Sequence, residues 1–149
     1  MTVDPSTAGP PDPVAARALL GRGLALGRPA VGEPALDLVW GEGPVLLEGT
    51  DNLAQDLAVA LLTPLGSDPF NTGFGFDGLR VLSLALGPLL REQLLRVAVI
   101  RTLLADNRVA DVVDVTLGPL DAARRQEVRA TVRTAAGELP MTLGEVDQG

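Results

Sequence analysis

No histidine, cysteine, tyrosine or lysine occurs in the 149 residues, and aromatics make up only 3% of them. Each absence closes a class of chemistry. Without imidazole or thiol there is no Ser-His or Cys nucleophile, no zinc set and no histidine acid–base step. Without lysine there is no Schiff base. Without cysteine nothing points to an oxidising compartment. Carboxylates, hydroxyls and arginine remain, which confines catalysis to a two-carboxylate hydrolase or a metal–carboxylate site.

Long apolar runs and clustered cations are missing as well. The apolar stretches are short and interrupted by arginine, too short to span a bilayer. Residues 1–13 are rich in Pro, Asp, Ser and Thr, with no basic or apolar signal-peptide region. The expectation is a soluble, cytoplasmic protein. All 12 basic residues are arginine, against 19 acidic ones, for a net charge of −7. Nucleic acid and anionic membrane both want clustered cations, so neither is expected as a partner. What is plentiful is small and aliphatic: 46% of the chain is apolar, so the core is Leu, Val and Ala. A chain of this length makes one domain with a real core.

Along the chain, residues 1–13 read as a disordered Pro-rich arm, 14–137 as the domain and 138–149 as a loose tail. Residues 14–20 suit a short helix that Gly21, Gly23 and Gly27 break. Residues 36–40 and 45–48 suggest a small hairpin around Gly41–Pro44, with Trp40 at the core edge. Asp51 is a good N-cap for a helix over 52–62, whose Leu53, Ala54, Leu57, Ala58, Ala60 and Leu61 share one arc.

All three phenylalanines, Phe70, Phe74 and Phe76, lie in the loop after that helix, among glycines. Aromatic rings in a loop imply a loop packed down, on its own domain or on a partner. Residues 73–78 also spell G-x-G-x-x-G, the dinucleotide fingerprint. Its context is wrong. A helix and a proline-broken turn precede it instead of a buried strand. About 20 residues on, where an acid should meet a ribose, stands Val97-Ala98-Val99. The glycines are better suited to tight turns. No catalytic set, metal site or cofactor site is expected.

A short helix over 79–86 and a long one over 89–105 follow, the second with Pro88 well placed ahead of it. Leu90, Leu94, Val97 and Leu104 form one stripe, while Leu95, Val99, Ile100 and Leu103 cover other directions. A helix apolar nearly all round needs cover on more than one side, which reads as a partner-binding face including Ile100 and Leu103. From Val109 the period switches to 2. Val113, Val115 and Leu117 share one face, and Val128, Ala130 and Val132 alternate with Glu127, Arg129, Thr131 and Arg133. The pattern predicts a hairpin in which Asp114 pairs with Arg129 or Arg133. Its open edge invites strand addition. The fold class is therefore α+β: a small single domain with an N-terminal β-hairpin, two main helices plus a short one, and a C-terminal antiparallel β-hairpin.

An amphipathic helix ending in Leu61-Leu62-Thr63-Pro64-Leu65-Gly66-Ser67, a glycine/aromatic loop closing on Gly75-Phe76-Asp77, a long helix, a polar triplet and a β-hairpin follow one another. This order resembles the baseplate wedge or sheath-initiator family of contractile phage tails, type VI secretion systems and extracellular injection particles. The T-P-x-G-S turn is the most specific part, and the resemblance spans about residues 21–137. In that family a Glu-Pro-Arg triplet joins the long helix to the first hairpin strand. Here the position reads Asp106-Asn107-Arg108, with acid and arginine kept and proline replaced.

The resemblance implies an assembly role. Such adaptors clamp the helical bundle of baseplate wedge proteins through the triplet. They offer their C-terminal strands to the first-layer sheath protein, with tube or hub proteins as further neighbours, in many copies within a sixfold particle. The implied partner interface comprises Asp106, Asn107, Arg108, Phe70, Phe74, Phe76, Ile100, Leu103, Arg129, Thr131 and Arg133. On this reading Arg108→Ala leaves the isolated fold stable, because the charge matters only against the partner. Two alternatives stand beside it. The family has been filed as lysozyme-like, and Glu42, Glu48 and Asp77 are carboxylates a peptidoglycan hydrolase could use. A small ligand-binding domain using the Phe loop as a pocket is the other.

Overall fold

In the computed structural model, residues 12–27, 37–120, 122 and 125–147 are described. Helix α1 (Pro13–Leu20) starts where Asp12 Oδ1 accepts from the Val14 N–H at 3.1 Å, with Pro13 in the first turn. It stops at Gly21, whose φ of 76° a side chain disfavours. Asp12 and Pro13 thus cap a helix, where the sequence suggested the end of a disordered arm. The rest of that arm lies outside the described residues.

Two tiny ladders follow. Strand β1 (Arg22–Leu24) pairs with β4 (Leu46–Glu48), and β2 (Leu26–Gly27) pairs with β3 (Asp37–Leu38), both antiparallel. The expected hairpin around Gly41–Pro44 survives as a turn with a Trp40–Pro44 bridge, but its arms take their ladder partners from residues 22–27. Residues 28–36, which include the start of the first arm, lie outside the described set. Trp40 is mostly exposed and does not cap the core.

Helix α2 (Thr50–Leu62) begins at Gly49, not at Asp51, which sits in its first turn. Gly49 has a φ of 63°, a conformation that favours glycine. Leu53, Leu57 and Leu61 are buried on the expected face. Helix α3 (Gly78–Leu82) is shorter than its sequence suggested. Helix α4 (Pro88–Leu104) starts at the proline itself.

Three long strands complete the chain: β5 (Val109–Leu120), β6 (Arg125–Thr134) and β7 (Gly137–Asp147), antiparallel in the order β5-β6-β7. The sheet has one strand more than expected, because residues 137–147 are strand, not loose tail. Val128, Ala130 and Val132 of β6 are buried as the alternation required. On β5 the alternation breaks. The register shifts between Val112 and Asp114, so Val113 is left exposed while Val115 is buried. A bulge adds one residue to a strand and resets which face follows. The sheet packs its inner face on α2 and α4, with Leu53, Leu57, Leu61, Val99, Leu103, Val115, Val128 and Val132 in one core. Each such aliphatic contributes about 1.5–3 kcal/mol through burial. No helix among the described residues is long and apolar enough to cross a membrane.

Candidate functional site

The turn after α4 gathers polar groups from three parts of the chain. Asp106 folds back on itself: its Oδ1 accepts from the Arg108 N–H at 2.9 Å, as short acidic side chains do at turns. The Arg108 guanidinium then fans out. Its Nε donates to Asp106 Oδ1 at 2.9 Å, and Nη2 donates to Asp106 Oδ2 at 2.6 Å and to Asp56 Oδ2 at 2.8 Å. Its Nη1 donates to the Leu20 carbonyl at 2.9 Å. That carbonyl is one of the orphan acceptors at the end of α1. Asn52 Nδ2 donates to the same oxygen at 3.1 Å. Arg108 therefore ties α1, α2 and the α4–β5 turn together, with 24% of its side chain exposed.

The polar side of α2 serves this junction. Gln55 donates to the Leu24 carbonyl at 2.8 Å and accepts from the Leu26 N–H at 2.7 Å. Asn52 is buried, and a Cβ at Gly23 would stand 2.5 Å from its Oδ1. Hence Gly23 leaves room for Asn52, while Gly21 ends α1 through its positive φ.

Beside the junction opens a cavity of about 590 Å³. Its walls are α2 (Asp56, Leu57, Ala60), the aromatic loop (Phe74, Gly75) and the turn itself (Asp106, Asn107, Arg108). The loop wall is tied to the end of α2 through its backbone. The Phe76 N–H donates to the Thr63 carbonyl at 2.8 Å, and the Leu65 N–H to the Phe76 carbonyl at 3.1 Å. Gly75 has a φ of 116°, and a Cβ there would lie 2.6 Å from the Thr63 carbonyl. A Cβ at Gly78 would fall within the Phe76 ring. These contacts account for the last two glycines of the apparent fingerprint: they let a loop fold onto a helix end and onto a buried ring.

Electrostatically the site is a saturated cation between two acids. Hydrogen bonding from Arg108 holds the Asp106 carboxyl below its ordinary range, although partial burial opposes the shift. The same bonds raise Arg108 further above neutrality. A depressed carboxylate stabilises the fold above its unfolded pKa of about 3.9, and that contribution is lost as pH falls through the lower folded value. The melting temperature is therefore expected to fall as pH drops below about 4, with a shallower slope in Arg108→Ala. Equal acid slopes in both proteins, read by circular dichroism, would contradict this.

No protein-family model and no curated protein matches the chain.

The residues singled out from sequence do not share one surface. Asp106, Asn107, Arg108 and Phe74 meet at the cleft. Phe70 stands 98% exposed on a turn in which Asp68 Oδ1 accepts from its N–H at 2.9 Å. Phe76, at 2%, and Leu103, at 0%, belong to the core, so neither offers a partner surface. Leu103 points inward because the buried arc of α4 is Leu95, Ala98, Val99, Thr102 and Leu103. Ile100 is half-buried against that core. On the sheet, Arg133 donates to Asp111 (3.2 Å) and Glu138 (2.9 Å), and Arg129 lies 2.8 Å from Glu127. Asp114 has neither arginine: the bulge sets it opposite Thr131, and it accepts from Thr116 instead. Among the hydrolase candidates, Glu48 is paired with Arg17 at 2.9 Å, and Asp77 lies 3.9 Å from Arg101. No group of three or more metal-ligating side chains gathers among the described residues.

Asp56 and Asn52 were missed from sequence. The available signal was polar Asn52, Gln55 and Asp56 at i, i+3 and i+4, a stripe that calls for a docked partner segment as much as an apolar one does.

Proposed function

We propose that this chain is a structural baseplate component of a contractile injection machine. It clamps a helical bundle of wedge proteins at the cleft beside Asp106-Asn107-Arg108 and starts the sheath by strand addition. The observation that carries the reading is the C-terminal sheet. Its outer strands β5 and β7 span 12 and 11 residues, each paired along one edge only among the described residues. Long open edges are what strand addition uses.

The cleft supports the other half of the reading. Arg108 spends its hydrogen bonds inside the chain, so the triplet acts by shaping a rigid wall. What it leaves for a partner is the exposed Asn107, the half-buried Phe74 and a surplus carboxylate. Phe70, held outward on its turn, is the kind of rigid aromatic that anchors interfaces. Hydrolase chemistry draws less support, because the cleft acid Asp106 is held ionised, the reverse of a general acid.

The test is genetic. Removing the chain from the cell that encodes it should leave inner tubes without attached sheath. Restoring it with Asn107 and Phe74 both changed to Asp should not rescue assembly. Complete sheathed particles in the deletion strain would overturn the reading.

A further inference from the structure

The two outer edges of the C-terminal sheet are not equivalent. In an antiparallel ladder, successive residues turn their backbone groups alternately towards the partner strand and away from it. The two-residue turn at 135–136 closes the β6–β7 hairpin on the pair Thr134 and Gly137. Counting by two from that pair, the register turns Leu139 and Met141 towards Val132 and Ala130, and Glu138, Pro140 and Thr142 outwards. Pro140 has no N–H to offer, so the middle of the β7 edge lacks a donor and its ring stands where an added strand would lie.

The β5 edge has no such gap. Val132 and Ala130 of β6 turn to β7, so their opposites on β5, Val112 and Val115, turn away from β6. From Val115 the register runs without a shift to Leu117, and Pro119 comes only later. Val115 and Leu117 therefore present N–H and C=O groups outwards at ladder spacing. The bulge at Val113 limits this clean stretch to about residues 114–118.

Charge says what the stretch accepts. The exposed face of the sheet runs acid, base, acid: Asp111 and Asp114 on β5, Arg129 and Arg133 on β6, Glu138 on β7. Arg133 answers both Asp111 and Glu138. Strand β5 carries no cation, and among the described residues the Asp114 carboxylate meets only the Thr116 hydroxyl, at 3.0 Å. On the other face, Leu117 is only partly covered. A second copy of this chain fits poorly, because its own outer strands are acidic and its net charge is −7.

We infer that β5, and not β7, is the acceptor edge, and that it takes a partner protein's strand alternating apolar residues with Arg or Lys, one cation facing Asp114. Opposite charges across neighbouring strands attract, and like charges directly opposite repel. The inference rests on the strand-addition half of the proposed function and adds its place and its chemistry.

The β6 sequence supplies a probe, since it already lies against an acidic strand on either side. A capped peptide of residues 125–134 carries Val128, Ala130 and Val132 on one face and Arg129 and Arg133 on the other. Titrated to about 2 mM into the isotope-labelled full chain, it should shift the Val115 and Leu117 amides saturably in NMR spectra, with Kd on the order of 1 mM. Glu138 and Thr142 should not move. The same peptide with Arg129→Glu and Arg133→Glu should bind at least roughly fivefold more weakly, the effect of about one cross-strand charge pair. Asp114→Arg in the chain should reverse that preference, and Pro140→Thr should add a second set of shifts along β7. No saturable shift, shifts at β7 in the parent chain, or equal affinity for the two peptides would overturn the inference. Binding at β5 together with complete sheathed particles in the deletion strain would remove the particle role and leave the acceptor edge in place.

Discussion

Arg108→Ala is expected to destabilise the isolated chain by about 2–4 kcal/mol, lowering the melting temperature by on the order of 10 °C. The cost has three sources. The Leu20 carbonyl loses its charged donor, Asp56 and Asp106 are left facing each other without a cation, and the link between α1 and the β5 turn disappears. Removing one member of a partly buried ionic cluster costs more than the cluster contributes, because the remaining charges stay behind. Arg108→Lys should recover only part of the loss, since an ammonium cannot fork to both carboxylates and a carbonyl. The sequence-based expectation ran the other way, towards a fold indifferent to Arg108. A variant within about 1 kcal/mol of the parent would restore that expectation and make the charge a partner's.

Leu103→Ala should cost about 2–5 kcal/mol, the range for deleting a fully buried leucine, and leave the chain unfolded or molten near 37 °C. Leu103 lies at 0% exposure, packed among α2, α4 and the sheet. Read as a partner contact, the same substitution would be silent in the isolated protein. Leu104→Ala, one position on and about half-exposed, is the matched control and should cost under about 1 kcal/mol. Denaturant titration of the pair separates the two faces of α4 directly. Equal midpoints for the two variants would contradict the packing.

Much of the fold was legible where a single local rule dominated. The period of Leu53, Leu57 and Leu61 gave α2 its buried face, Pro88 began α4, and the alternation of Val128, Ala130 and Val132 gave β6 its inner face. Readings failed where two rules competed. The polar character of residues 138–149 reads as a loose tail, although Leu139 and Leu143 point inward from Pro140's strand. Proline is tolerated there because β7 is an outer strand. Bulges leave no mark on composition, so the alternation puts Val113 on the inner face and gives Asp114 an arginine partner, where the structure exposes Val113 and sets the outward Asp114 opposite Thr131. On α4 the apolar residues run nearly all round, and only packing reveals which arc is inside. The sequence therefore offers Leu103 to a partner as excess beside the stripe of Leu90, Val97 and Leu104, whereas in the structure Leu103 is inside and that stripe is the exposed side.

The site was half legible. Acid and arginine two residues apart marked the turn, and the Phe loop marked its neighbour. What the arginine does depends on contacts 88 and 52 residues away, with Leu20 and Asp56. Such contacts follow from the chain path around Gly21 and Gly23, which no local pattern announces. The consequence for function is a shift of emphasis. Arg108 builds the cleft, and on the proposed reading Asn107, Phe74, Phe70 and the sheet edges are the surfaces left for partners.

The most direct measurement of the proposed function is an electron-microscopy map of any contractile particle purified from the cell that encodes this chain, at a resolution where helices separate. The account predicts the domain in multiple sixfold-related copies at the baseplate. The α4–β5 turn should lie against wedge helices, and a strand of the first sheath ring should be added to β5 or β7. A complete baseplate and sheath with no density for this domain would contradict it.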